Sequence, residues 1–116
     1  MTHKEIVREI NRGFELDDHD MVMKHIHDDV VWFCPGAFTA RGAVEFRKHI
    51  RDDVSFSGTP TITTKNEIAE GEWLAVEGEV KVKLKSGQPI ELYFHDTYRF
   101  KDNKVIEMTS YLVPKT

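Results

Sequence analysis

Residues 90–105 read Ile90-Glu91-Leu92-Tyr93-Phe94-His95-Asp96-Thr97-Tyr98-Arg99-Phe100-Lys101-Asp102-Asn103-Lys104-Val105. Leu92, Phe94, Tyr98 and Phe100 recur at even spacing, the period of a β-strand whose alternate side chains share one face. Asp96 falls in that register, so an acid stands in an otherwise apolar row. Asp102-Asn103 is a turn signal, and Val105 to Val113 reads as the returning strand.

The same period extends toward the N-terminus. From Trp73 to Leu84, Leu74, Val76, Val80, Val82 and Leu84 alternate with Ala75, Glu77, Glu79, Lys81 and Lys83. Ser86-Gly87 joins this strand to the next as a hairpin, and Glu70-Gly71 joins it to a Thr- and Ile-rich strand over Thr59–Ala69. Earlier still the period changes. Ile6, Ile10 and Phe14, with Val7 beside them, mark a helix from about Thr2 to Leu16, and Thr2 with Glu5 has the spacing of a capping box. Asp17-Asp18 interrupts it, and a short helix is expected over Asp20–Ile26. Val30-Val31-Trp32-Phe33-Cys34 is a β-branched and aromatic strand stopped by Pro35-Gly36. Gly42 opens a third helix to about Asp53, with Phe46, His49 and Ile50 inward. Helices followed by an antiparallel meander give an α+β layer, and long strands must twist and curl, so a cavity is expected between sheet and helices.

Size and charge narrow the function. The 116 residues fit one domain, residues 1–116. A net charge of −4 offers no basic field for nucleic acid or an anionic membrane surface. No apolar stretch is long enough to span a bilayer, and no apolar signal core follows the charged N-terminus. The single cysteine, Cys34, permits no internal disulfide. A cytoplasmic protein is expected.

Asp96 is the leading candidate for chemistry, because burial raises the pKa of a carboxyl and makes it serviceable as a general acid or base near neutrality. Trp32 and Cys34 share a strand face by alternation. If that face is inward, Cys34, with His49 and Asp96, makes a pocket constellation, although a free Cys is more often a small buried apolar residue. Phe46, Phe94, Tyr98, Met108 and Ser110 complete the expected lining, with Tyr98 and Ser110 as hydrogen-bonding groups and Leu112 as further apolar wall. His25-Ile26-His27 places two histidines at a spacing that does not share a helix face, and no three-ligand pattern stands out. Neither a metal nor a cofactor is expected.

The order of elements resembles the nuclear transport factor 2-like superfamily, which includes ketosteroid isomerases and SnoaL-like cyclases. The likeness is carried by Asp18-His19-Asp20 leading to His27-Asp28-Asp29-Val30-Val31, by Arg41-Gly42-Ala43-Val44-Glu45-Phe46, and by Asp96 through Val105. The resemblance implies an α+β fold with a curved, mixed, mostly antiparallel sheet forming a cone and three N-terminal helices over its concave face. It implies that Asp96, which precedes Thr97-Tyr98-Arg99-Phe100, occupies the position of the acid that stabilises a developing oxyanion in ketosteroid isomerases. The positions of their carboxylate base and first-helix tyrosine hold Cys34 and Ile10, so the steroid isomerase site is incomplete. The resemblance also implies a homodimer through the outer sheet face, where Trp73, Ala75, Tyr93, His95 and Tyr111 fall. The functional expectation is an isomerase-, cyclase- or hydratase-like enzyme for a small apolar substrate. The alternatives are a non-catalytic module for a hydrophobic ligand and a protein-interaction domain.

Overall fold

Thr2 caps the first helix through both halves of a capping box: its hydroxyl accepts from the Glu5 N–H, and the Glu5 carboxylate accepts from the Thr2 N–H. The computed structural model describes residues 1–52 and 56–115, with only the backbone of Asp52. Helix α1 spans His3–Leu16 and buries Ile6, Val7, Ile10 and Gly13. It ends at Asp17, which adopts the left-handed conformation (φ 55°) and returns its N–H to the carbonyls of Gly13 and Phe14. Helix α2, His19–Met23, begins at once, with the Asp18 side chain accepting from the Met21 N–H. Gly13 permits this sharp reversal, since a Cβ there would stand 2.6 Å from Val22 Cγ2 and 3.0 Å from the Asp18 carbonyl.

Strand β1 covers Ile26–Cys34 and β2 covers Phe38–Arg41; α3 follows over Gly42–Asp52. Strands β3 (Phe56–Glu70), β4 (Trp73–Leu84), β5 (Pro89–Lys101) and β6 (Lys104–Pro114) form the meander. Together they make a curved, unclosed sheet in the order β2-β1-β6-β5-β4-β3. The β1–β6 pair is parallel and the remaining pairs are antiparallel. Register shifts interrupt β1–β6, β3–β4 and β5–β6, the local irregularities by which long strands bend.

Several boundaries differ from the sequence reading, among them the start of β3, at Phe56 instead of Thr59. The helix expected over Asp20–Ile26 is α2, shifted toward the N-terminus, and Ile26 and His27 belong to β1. Strand β1 therefore starts four residues before Val30, where the polar His27-Asp28-Asp29 hid it. Strand β2 is too short to leave a period of its own. The expected end of the third helix at Asp53 lies outside the described residues.

The core lies where α1 and α2 meet the sheet: Ile6, Val7, Ile10 and Val22 pack with Phe46, Leu74, Val76, Tyr98, Phe100 and Val105. Each such fully buried Ile, Leu or Val contributes about 1.5–3 kcal/mol relative to an exposed one. No helix among the described residues is long and apolar enough to cross a membrane.

Candidate active site

The core fills only one end of the concave face. At the other end a cavity of about 580 Å³ remains, within the usual size range for small-molecule sites. Every layer contributes to its wall. Phe14 and Asp17 come from the end of α1, His19 from α2, His49 and Ile50 from α3, and Trp32, Cys34 and Phe38 from β1 and β2. The meander adds Phe56, Thr59, Pro60, Ile62, Val82, Asp96, Ser110 and Leu112.

Asp96 is the acid of this wall. Its side chain opens to the cavity, but the surrounding strands keep bulk water at a distance. Burial therefore raises its pKa from the ordinary 3.8 to about 6, against a smaller opposing effect from the neighbouring Ser110 hydroxyl. Ser110 lies directly opposite Asp96 on β6 and is itself buried. Its Oγ accepts a hydrogen bond of 2.9 Å from the Trp32 indole N–H.

Trp32 is fixed by aromatic neighbours. Its ring lies 4.7 Å from Phe46 and meets the edge of Phe38 at 4.9 Å and of His49 at 5.3 Å. His49 in turn stacks on Phe38 at 3.7 Å. Cys34 also lies on the wall. Burial, and then the nearby negative charge of Asp96, push its thiol pKa upward. That environment favours the thiol over the thiolate, the opposite of what an activated nucleophile requires.

Six residues named from the sequence thus meet at the cavity: Trp32, Cys34, His49, Asp96, Ser110 and Leu112. Phe46, Phe94, Tyr98 and Met108 do not line it; they are buried in the core beside it. Tyr98 shares the Asp96 face of β5, two residues on, but its ring is fully buried and its hydroxyl has no hydrogen-bond partner among the described residues. Burial and the Asp96 charge hold it in the neutral form.

The sequence reading missed the mouth. His19 Nε2 stands 3.0 Å from Asp17 Oδ1, and both residues border the cavity. The available signal was Asp17-Asp18-His19 at a helix break, where Asp17 forms the left-handed cap of α1. Phe38 was missed with its strand. Among the described residues no group of three His, Cys, Asp or Glu side chains is placed to hold a metal ion.

An α+β fold with a curved sheet of this connectivity is that of the nuclear transport factor 2-like class. The chain belongs to the SnoaL-like domain family, which its sequence matches over residues 7–108. Comparison with curated proteins finds no match. Among solved structures, an NTF2-like protein of unknown function from Burkholderia pseudomallei superposes with a TM-score of 0.87 at 23% identity, covering 95% of this chain and 90% of that one. A ketosteroid isomerase-like protein from Catenulispora acidiphila, solved with trimethylamine, gives 0.84 at 12% identity over 95% and 86% of the two chains. An LEH-like epoxide hydrolase from M. tuberculosis gives 0.82 at 16% identity over 93% and 80%. At these identities the likeness establishes the fold, while activity belongs to each protein's own site.

Proposed function

We propose that this domain binds a small, largely apolar molecule and acts on it by proton transfer, with Asp96 as the acid and base of an isomerase-, cyclase- or hydratase-like reaction. The observation that carries this reading is a carboxyl with a pKa of about 6 on the wall of a mostly apolar cavity. A group titrating there is mostly ionised at pH 7, yet about a tenth remains protonated, so it both accepts and returns a proton readily. In the forward step the carboxylate removes a proton from a substrate C–H or from an attacking water. In the return step the carboxyl delivers that proton to a carbon or oxygen of the product. The apolar walls strengthen the developing charge interactions by excluding water. The epoxide hydrolase among the structural neighbours supports the idea that this scaffold hosts small-molecule chemistry.

A second reading, a non-catalytic binding module, draws on Cys34 and Ile10, which stand where ketosteroid isomerases carry a base and a tyrosine. One experiment separates the two. A panel of small cyclic ketones, enones and epoxides is screened by thermal shift, and the compounds that raise the melting temperature are incubated with wild type and Asp96→Asn. The enzyme reading predicts binding by both proteins and turnover reduced at least about 100-fold in the variant, the usual contribution of a general acid or base. Equal turnover by both contradicts it, and binding without turnover by either selects the second reading. The proposal includes a homodimer through the outer sheet face, on which Trp73, Tyr93 and Tyr111 are exposed.

A further inference from the structure

We propose that Trp32 and Ser110 form a hydrogen-bonded relay that orients the Asp96 carboxylate, making both of them positioning residues for proton transfer. The proposal rests on the reading of Asp96 as the acid and base, and it assigns to Trp32 and Ser110 a role other than contact with substrate.

An indole carries one N–H and no acceptor, whereas a serine hydroxyl carries one donor and two acceptor lone pairs. The Trp32 N–H, 2.9 Å from Ser110 Oγ, therefore occupies a lone pair of the hydroxyl. The one remaining donor of Ser110 is its own O–H, and Asp96 is its direct cross-strand partner, with both side chains on the cavity wall. The relay then runs from the indole N–H to the hydroxyl oxygen, which leaves the hydroxyl hydrogen for the carboxylate across the strand pair.

Its rigidity comes from three elements. Trp32 sits in the middle of β1, paired with Ala40 of β2 on one side and Met108 of β6 on the other. Phe38, Phe46 and His49 hold its ring from strand and helix. Ser110 is buried between β1 and β5, where a free hydroxyl rotor would otherwise choose among backbone carbonyls. Pinning one lone pair converts it into a directed donor. A carboxylate so held keeps one oxygen engaged and presents the other to the cavity. The relay also opposes the effect of burial, because a donor to the charged form favours that form. Other titratable groups near Asp96 are Cys34 of β1 and Tyr98 of its own strand. His49 of α3 and the Asp17–His19 pair line the same cavity, and Val76 of β4 is its neutral neighbour on the remaining side.

The test is an NMR pH titration of the Asp96 carboxyl carbon in wild type, Ser110→Ala, Trp32→Phe and Ser110→Thr. The relay predicts that Ser110→Ala moves the midpoint about one pH unit higher, the size expected for one lost hydrogen bond to a charged group. Trp32→Phe, which leaves the hydroxyl but frees it to rotate, moves it in the same direction by less. Ser110→Thr, which restores a hydroxyl, titrates with the wild type. A folded Ser110→Ala or Trp32→Phe that titrates with the wild type overturns the relay. If Ser110→Ala does not fold, Trp32→Phe decides alone. The titration requires no substrate, so absence of turnover sinks the acid–base reading and leaves the relay to be judged on its own result.

Discussion

Between about pH 4 and pH 6 the Asp96 carboxyl makes the folded state less stable as pH rises. Its pKa is about 6 when folded and 3.8 when unfolded. In that window the folded state binds more protons than the unfolded state, so raising pH favours unfolding. Stability is at its full value below the unfolded pKa, and the whole loss is incurred once pH exceeds the folded one. A difference of this size corresponds to about 2–3 kcal/mol at most, reduced by the access of cavity water to the carboxyl. Asp96→Asn removes the titration, so the variant is expected to be more stable than wild type above pH 6 by about 1–2 kcal/mol and to lose that advantage at pH 4. Urea unfolding of both proteins at pH 4 and pH 7.5 measures this, and a variant less stable than wild type at pH 7.5 speaks against it. The acid itself was legible in the sequence, because one charged residue in a period-two apolar row is visible without coordinates. What was not legible is which members of that row face the cavity. Tyr98 and Phe94 share the face of Asp96 and flank it, yet both are buried in the core while Asp96 reaches the cavity, and sequence periodicity carries no information about which members of one face are covered.

The elements that shape the cavity depend on close backbone approaches in the long strands. Gly78 lies in β4 between Thr64 of β3 and Phe94 of β5, beside a register shift in the β3–β4 pair. A Cβ at this position would lie 2.0 Å from the Thr63 carbonyl oxygen and 2.9 Å from the Phe94 ring. Backbone cannot yield as a flexible side chain does, so Gly78→Ala is expected to destabilise by about 1–3 kcal/mol. The melting curve checks this, and an unchanged midpoint means that the strands do not approach there as described. The alternating pattern of β4 and β5 was strong enough to give both strands and their hairpin. The four residues of β2 were not readable, since Phe38-Thr39-Ala40-Arg41 is shorter than two clear periods. The start of β1 was hidden for a different reason: His27, Asp28 and Asp29 precede Val30 where the strand is irregular, and β1 and β6 change register between Ile26 and Val31.

On the scale of the whole molecule, one face of the sheet encloses the core and the cavity, and the other carries exposed Trp73, Tyr93 and Tyr111. Cations lie over two of these rings, Arg99 at 5.5 Å from Trp73 and Lys115 at 5.3 Å from Tyr93. An aromatic face of this kind is larger than scattered surface residues require. Sedimentation equilibrium is expected to give a dimer, and Tyr93→Glu with Tyr111→Glu, which places charges on that face, is expected to give a monomer. A wild type that stays monomeric at high concentration contradicts the proposed interface.

The central claim is that an acid with a shifted pKa faces an apolar cavity. The direct measurement is the NMR titration of the Asp96 carboxyl in the free wild-type protein. The account predicts a midpoint near pH 6. A midpoint near 4, the ordinary value for a solvated aspartate, would contradict it.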